Sequence, residues 1–312
     1  MINMLVGFLA LLVISFILLI VLAPVRLGEF FYKYATHLEA RIYGLSKYQL
    51  SIGEMNISLF KNSFKPRPTI LMLHGFSADK NVWVRFARYF SGEFNLIIPD
   101  LAGHGETGFD ANWSYSGPHQ VERLIKLLDE LHIEKVHVIG NSMGGFISAH
   151  FAIMYPERTS SSTLVDPAGV RSPQKSDMDK MLSNGRNPFE IHNQREFDEF
   201  YAMTMAKPPL VPGFILQYVS ETYQQRKEQL TQIIADFYLQ DMLDSRLDQF
   251  NVPVLVMWGT KDRLIHVSSA DVWVDGIKGA QLKIWPEVGH MPMLEVPKES
   301  SVEYSRFLRE LD

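Results

Sequence analysis

The sequence predicts an α/β fold with a doubly wound, mostly parallel sheet, an N-terminal transmembrane helix and a helical cap. Short β-branched runs alternate with helical segments across residues 48–168 and 246–312, as is typical of this class. Residues 169–245 contain no convincing strand, and a structureless loop of that length is improbable inside a compact domain, so we predict a helical cap there. Residues 1–25 carry no charged side chain, which indicates a membrane segment.

The N-terminal segment is long enough to cross a bilayer as a helix. Residues 4–23 are almost unbroken in apolar character, and 15 of these 20 are Leu, Ile, Val or Phe. At roughly 0.3–0.6 kcal/mol each, they favour insertion by several kcal/mol. We therefore predict a single-pass anchor over 1–25. A cleaved signal peptide is the alternative, but the run lacks a basic start and Pro24 follows the conceivable cleavage site.

Residues 26–47 form a predicted juxtamembrane helix with one apolar stripe. Arg26, Lys33 and Arg41 follow the span and nothing basic precedes it, which by the positive-inside rule places the rest of the chain in the cytoplasm. The helix could seat the domain in the headgroup region of the bilayer. It could instead pack on its own domain or on a second subunit, giving a homodimer through the N-terminal helices. The stripe comprises Leu27, Phe30, Phe31, Tyr34, Leu38 and Ile42.

Apolar runs and turn residues predict the elements of the core and the cap. An antiparallel pair over 48–60 opens the sheet, and the following strands are expected at 69–73, 95–99, 136–139, 161–165, 252–258 and 281–285. Core helices are expected at 80–91, 117–131, 143–155, 266–277 and 297–310. Cap helices are expected at 177–184, 195–206, 212–228 and 229–243.

The most informative motif lies between a predicted strand and a predicted helix. Residues 140–144 read Gly-Asn-Ser-Met-Gly, a match to Gly-x-Ser-x-Gly. A serine at the tip of a strand-turn-helix is a nucleophile elbow, in which the turn is too tight for side chains on either side. The sequence therefore predicts Ser142 as a nucleophile.

A serine nucleophile needs a base, an acid that orients the base, and donors for the oxyanion. His290 follows the last predicted strand and is the expected base, and Asp262 follows the strand before it and is the expected acid. Asp166, which also follows an apolar strand, is the alternative acid. The expected oxyanion donors are the backbone N–H groups of Met143, after the nucleophile, and Phe76, in the loop after strand 69–73.

Other function classes are disfavoured by composition. The net charge of −5 and pI near 6.1 do not suggest nucleic-acid binding. With no cysteine and no zincin-type ligand spacing, we predict no metal, no disulfide framework and no cofactor.

Several short motifs follow one another along the chain: His-Gly-Phe at 74–76, Asp-Leu-Ala-Gly-His-Gly at 100–105, Asn-Ser-Met-Gly-Gly at 141–145, Leu-Val-Asp-Pro-Ala-Gly at 164–169, Lys-Pro-Pro at 207–209, Trp-Gly-Thr-Lys-Asp at 258–262 and Gly-His at 289–290. Taken together, these motifs resemble the α/β-hydrolase superfamily over residues 48–312. Within it, the chain is most similar to the monoacylglycerol-lipase-like branch, which includes membrane-anchored lipases and bacterial phospholipases A. The family's triad would map onto Ser142, Asp262 and His290, and its oxyanion donors onto Phe76 and Met143.

The resemblance implies a membrane-anchored serine hydrolase that releases a fatty acid from monoacylglycerol, lysophospholipid or phospholipid through an acyl-enzyme. It also implies a bacterial inner membrane, and relatives that face the periplasm leave the side of the membrane open. Alternatives are a soluble-substrate carboxylesterase or thioesterase, a carbon–carbon bond hydrolase of ring-fission products, and a non-enzymatic receptor. We further expect a few cap side chains to line an acyl tunnel, from the set Phe189, Phe197, Phe200, Tyr201, Met203, Met205, Phe214, Ile215, Leu216, Tyr218 and Val219.

Overall fold

The fold is built on one eight-stranded, mostly parallel sheet. The computed structural model describes residues 2–311, without the side chains at positions 2–4, 12, 13, 16, 17, 20 and 21. The strand order is β1-β2-β4-β3-β5-β6-β7-β8, and only the pairs β1–β2 and β2–β4 are antiparallel. This confirms the predicted α/β sheet. The strands are β1 (Ser46–Ser51), β2 (Asn56–Lys61), β3 (Thr69–Leu73), β4 (Asn95–Pro99), β5 (Val136–Asn141), β6 (Thr159–Val165), β7 (Val254–Gly259) and β8 (Gln281–Trp285).

Helices cover both faces of the sheet, so the central strands are buried. Every residue of β3, β4 and β7 is buried, as expected for strands covered on both sides. The helices of the core are α3 (Val84–Ala87), α4 (Gly117–Glu130), α5 (Met143–Met154), α10 (Ser269–Gly276), α11 (Pro292–Glu295) and α12 (Pro297–Arg309). Helix α3 is shorter than predicted because its first turn, Lys80–Trp83, is a 3₁₀ helix capped by the Asp79 side chain.

Four helices occupy the chain between β6 and β7. They are α6 (Asp177–Ser183), α7 (Gln194–Thr204), α8 (Gly213–Gln225) and α9 (Lys227–Phe237). Helix α9 ends six residues earlier than the predicted limit of 243, because Leu239 and Asp241 have φ values of 58° and 50°. Side chains rarely adopt that left-handed backbone conformation, which cannot continue a right-handed helix.

The N-terminal part of the chain contains α1 (Ile2–Leu22) and α2 (Pro24–Ile42). Pro24 occupies the first turn of α2, where its missing N–H costs nothing. Met1 of the predicted anchor lies outside the described residues. Across the described part of the chain, no helix meets the combined length and apolarity required for a membrane span. The anchor over 1–25 therefore stays a prediction.

Helix α2 packs against the insertion between β6 and β7. The ring of Phe31 lies edge-on to Phe214 of α8, with centroids 5.6 Å apart. The other face of α2 is open to solvent, because Phe30, Tyr34, Leu38 and Ile42 are each more than half exposed. One part of the predicted stripe therefore packs on the domain. The other part is exposed, as a surface that faces a bilayer would be.

Candidate active site

Ser142 stands at the turn between β5 and α5 in a strained backbone conformation, with φ 57° and ψ −117°. The flanking glycines are required by contact. A Cβ on Gly140 would lie 2.0 Å from the Gly144 carbonyl oxygen, and a Cβ on Gly144 would lie 2.2 Å from the Leu73 carbonyl oxygen. Only hydrogen fits at either position, so the local sequence enforces the sharp bend.

Backbone hydrogen bonds fix this turn to the neighbouring strand. Ser142 N–H donates to the Val165 carbonyl (3.0 Å), and Ala168 N–H donates to the Ser142 carbonyl (3.1 Å). Met143 is the first residue of α5, so its N–H has no acceptor within the helix, and the Ser142 side chain does not cap it. The Met143 N–H is thus suited to bind a developing negative charge.

His290 and Asp262 form a buried hydrogen-bonded pair. His290 Nδ1 and Asp262 Oδ2 are 2.7 Å apart, and the two residues are only 4% and 7% exposed. Asp262 Oδ1 accepts the N–H groups of Leu264 (2.8 Å) and Ile265 (3.0 Å). Because an ionised carboxylate is acceptor-only, Nδ1 is the protonated nitrogen and Nε2 is left to accept a proton.

The loop that carries His290 is attached to the serine turn and to the helical insertion. The Asn141 amide, next to Ser142, donates to the His290 carbonyl (2.9 Å) and to the Val165 carbonyl (3.2 Å). His290 N–H donates to the carbonyl of Thr204, the last residue of α7 (3.1 Å). His290 is therefore held between the sheet and the insertion.

Asp166, the alternative acid, lies beside the pair and has different hydrogen-bond partners from Asp262. Ligating atoms of Asp166, Asp262 and His290 all lie within 4.8 Å of one another. Burial raises the pKa of Asp166 well above its ordinary value, and the Asp262 carboxylate adds to the rise. Asp166 Oδ1 accepts Gly259 N–H (3.0 Å), whereas the buried Oδ2 meets no donor among the described residues. Asp166 is therefore the neutral member of the two carboxyls.

The loop after β3 lies against the serine turn. A Cβ on Gly75 would sit 3.2 Å from the Ser142 Cβ, so the glycine allows this approach. His74 organises the loop, since its Nδ1 bonds the Gly75 carbonyl (2.8 Å) and its Nε2 accepts Leu101 N–H (3.0 Å). Burial lowers the pKa of His74, which suits this neutral tautomer. Phe76, the expected second oxyanion donor, follows directly.

Two polar side chains that fix the loops around His290 were not among the predicted site residues. Asn141 joins the serine turn to the His290 loop, and its place just before Ser142 in the motif was the available signal. Glu295 accepts Gly289 N–H at Oε1 and the N–H groups of Ala206 and Lys207 at Oε2, each at 2.9 Å. Because an acidic residue near a C-terminal helix is usually solvated, the sequence carried no signal for Glu295.

A cavity of about 530 Å³ opens at Ser142. Of the eleven cap side chains from which a few were expected to line this cavity, only Phe189 does so. Residues of α7 and α8 pack on one another and on α2, as Phe197 does on Tyr223 and Phe214 does on Phe31. The expected contribution of α7 and α8 to the cavity was wrong, because α6 and α9 form the cavity wall in their place. The apolar lining of the cavity includes Phe76, Phe146, Val170, Met178, Leu182, Ile234, Phe237, Tyr238, Leu239, Met242, Leu264 and Ile265.

The cluster of two carboxyls and an imidazole is also the kind of set that can bind a cation. The 2.7 Å separation of Nδ1 and Oδ2 is that of a charge-assisted hydrogen bond. Asp262 Oδ1 is occupied by two backbone donors. We therefore assign these atoms to hydrogen bonding and not to a metal centre.

Comparison with known proteins gives a consistent picture. A model of the alpha/beta hydrolase fold family matches residues 68–297. Lipase 1 of Psychrobacter immobilis is 35% identical over 244 residues, which cover 76% of this chain and 76% of that protein. A monoacylglycerol lipase of Bos taurus is 27% identical over 324 aligned positions, covering 95% of this chain and 90% of that protein. The crystal structure of a bacterial membrane phospholipase A has a TM-score of 0.87 at 29% identity, covering 100% of this chain and 99% of that chain.

Proposed function

Because this chain belongs to the alpha/beta hydrolase fold family and is a carboxylic ester hydrolase of the lipase and esterase type, we propose that it cleaves ester bonds of membrane lipids. Monoacylglycerols, lysophospholipids and phospholipids are the proposed substrates. One observation carries the proposal: a strained serine, on a turn hydrogen-bonded to the loop of a buried His–Asp pair, opens on a largely apolar cavity. Such a cavity suits an acyl chain.

The proposed mechanism proceeds through an acyl-enzyme. His290 Nε2 takes the Ser142 proton as the hydroxyl attacks the ester carbonyl, and Asp262 stabilises the imidazolium that forms. The N–H groups of Phe76 and Met143 bind the oxyanion. His290 then protonates the leaving alcohol. Water, activated by the same histidine, releases the fatty acid from Ser142. No step requires a cofactor.

A substrate panel on wild type beside Ser142→Ala tests the proposal. Detergent-dispersed monoacylglycerol, lysophospholipid and phospholipid are compared with short p-nitrophenyl esters and an acyl-thioester. We expect lipid hydrolysis by wild type alone, at the highest kcat/KM for a long-chain lipid. Turnover restricted to short soluble esters or to the thioester would overturn the lipid assignment and leave the esterase or thioesterase alternative.

A second candidate activity has one observation in its favour. A carbon–carbon bond hydrolase of ring-fission products needs a basic group for the substrate carboxylate, and Arg171 and Lys175 line the cavity. Both side chains are exposed. A ring-fission dienoate added to the same panel tests this candidate, and a kcat/KM above that of every ester would favour it.

We also propose that α1 anchors the protein in a bilayer and that α2 lies in the headgroup region. Supporting this are the uncharged residues 1–25 and the exposed apolar side chains of both helices, among them Phe8, Leu11 and Ile14 on α1. The bacterial inner membrane is the proposed location. The anchored enzyme would meet its lipid substrate at high local concentration.

Substitution within α1 tests the anchor. An arginine at the centre of a membrane helix costs about 2.5–3.5 kcal/mol on the insertion scale, so Leu11→Arg with Ile14→Arg should release the full chain from carbonate-washed membranes. Val302→Arg, on the exposed face of α12, is the control and should stay membrane-bound. If wild type itself washes off, the anchor does not exist.

A further inference from the structure

The loop that carries the proposed oxyanion donor is held by two tyrosines from outside the sheet. The Tyr32 hydroxyl, on α2, donates to Asp79 Oδ2 at 2.8 Å. The Tyr223 hydroxyl, on α8, lies 2.9 Å from Ser77 Oγ. Ser77 and Asp79 lie one and three residues after Phe76, so the two hydrogen bonds act close to its N–H.

The backbone at Ser77 is strained, so the loop needs interactions that hold it in place. The φ of Ser77 is 65°, in the left-handed region that non-glycine residues seldom occupy, although its side chain is buried. A strained conformation persists only where the surroundings enforce it. Burial raises the pKa of Tyr32 and of Tyr223, so both hydroxyls stay protonated and available for hydrogen bonding at any ordinary pH.

The two tyrosines belong to one packed unit. A Cβ on Gly28 of α2 would lie 2.1 Å from the Phe214 carbonyl oxygen of α8, so the helices touch backbone to backbone. The rings of Tyr32 and Tyr218 add a contact with centroids 5.7 Å apart. Because the helices pack this closely, we expect a displacement of α2 to shift α8 and to affect both hydrogen bonds to the loop.

We propose that Tyr32 and Tyr223 are positioning residues that hold the 74–79 loop so that the Phe76 N–H points at the oxyanion. The inference rests on the proposed function, since it concerns the same serine chemistry. Helix α2 then has a second role besides lying in the headgroup region. It connects a lipid surface bound to its exposed face with the 74–79 loop. That exposed face consists of Phe30, Tyr34, Leu38 and Ile42.

Phenylalanine variants test the proposal because they remove each hydroxyl and keep each ring. The full chain in detergent is assayed on a soluble p-nitrophenyl ester. Removing an oxyanion donor typically costs about 10²–10³ in kcat, and a misdirected donor should cost part of that. We expect Tyr32→Phe and Tyr223→Phe each to lower kcat about tenfold with KM within about twofold. Tyr48→Phe, at a 45% exposed ring on the edge strand β1, should match wild type.

A trifluoromethyl ketone separates positioning from general damage. Its hemiketal oxyanion needs the same donors, so its inhibition constant should rise in proportion to the fall in kcat/KM. Ser77→Ala combined with Tyr223→Phe should cost no more than either single change, because both delete one hydrogen bond. Circular dichroism confirms that each variant is folded.

The outcomes are distinct. If wild type is active while kcat in both tyrosine variants stays within twofold, the positioning role is excluded and the proposed function stands. A fall in kcat with an unchanged inhibition constant also excludes it. If wild type hydrolyses no ester and leaves the ketone unbound, the proposed function itself fails and takes this inference with it.

Discussion

The two sides of Ser142 are supported in different ways. On the acid–base side, His290 and Asp262 follow strands of the sheet, and backbone N–H groups fix the carboxylate. On the oxyanion side, the 74–79 loop depends on hydrogen bonds from Tyr32 and Tyr223, in helices that lie outside the sheet. The first side is fixed mainly by the sheet and its loops, with one backbone hydrogen bond from His290 to α7. The second side is fixed by side chains of α2 and α8, so a movement of either helix would affect it. Rate changes on the two sides should therefore differ in size and in sensitivity to lipid.

The largest effect is expected on the core side, from Asp262→Asn. An asparagine can present an N–H to Nδ1, which would put the imidazole proton on the nitrogen that must accept one from Ser142. A loss of about 10⁴ in kcat is typical of that change. Steady-state kinetics on a soluble ester measures it. A loss below tenfold would mean that another residue orients His290.

The junction between the serine helix and the end of α9 should be acid-sensitive. Burial lowers the pKa of His150 to about 4, and its Nε2 bonds the Asp241 carbonyl at 3.0 Å. The unfolded chain, with a histidine pKa of ~6.5, takes up the proton first. Stability from this group is therefore full above pH 6.5 and is lost as the pH falls towards 4, by about 2 kcal/mol at pH 5.

Urea unfolding at pH 7 and pH 5 checks this value, with His150→Gln as the comparison. The variant should lose about 2 kcal/mol less than wild type between the two pH values. His74 and His104 are also buried with lowered pKa values and contribute equally to both proteins, so the difference isolates His150. Identical losses would show that His150 is not buried in its neutral form.

The oxyanion side should respond to changes on the lipid-facing stripe. Leu38→Asp with Ile42→Asp places two charges on the exposed face of α2, which weakens its contact with a bilayer. We expect about a tenfold loss of activity on lipid vesicles and little change on a soluble ester in detergent. Val302→Asp, at an exposed apolar position on α12, is the matched control. Equal losses of activity on both substrates would show that the exposed face of α2 does not act through contact with lipid.

The smallest effect is expected at the neutral carboxyl. Asp166→Asn keeps a neutral group of the same shape beside Asp262, so kcat should stay within about threefold while stability changes modestly. Asp166→Ala should lower both kcat and stability further, since it leaves a cavity at a fully buried site. Measuring kcat and urea stability for the two variants decides this. A loss at Asp166→Asn greater than that at Asp262→Asn would reverse the roles of the two acids.

Local patterns were sufficient for most of the core. The strands at 69–73 and 95–99 end where the sequence predicts, because buried parallel strands are largely apolar runs bounded by turn residues. The strand at 281–285 also matches its predicted bounds, although it is a partly exposed edge strand. The serine turn was predictable for a similar reason, since only glycine fits on either side of Ser142. The predicted acid and base follow β7 and β8, at the edge of a parallel sheet where sites are built.

Relations between distant segments were not predictable. Apolar periodicity shows that α7 and α8 have buried faces, but it does not say which neighbour each face meets. The cavity wall therefore came from α6 and α9, and of the expected residues only Phe189 contributes to it. Tyr32 and Asp79 are 47 residues apart and carry no shared motif, so their hydrogen bond becomes visible only in three dimensions.

The central claim is that Ser142 is a nucleophile activated by His290. A fluorophosphonate probe, followed by intact-mass and peptide mass spectrometry, tests it most directly. We predict one adduct per chain, located on Ser142, which is absent in Ser142→Ala and forms at least about a hundredfold more slowly in His290→Ala. A wild-type chain that stays unlabelled, or an adduct on another residue, would contradict the claim and favour a non-enzymatic role for this fold.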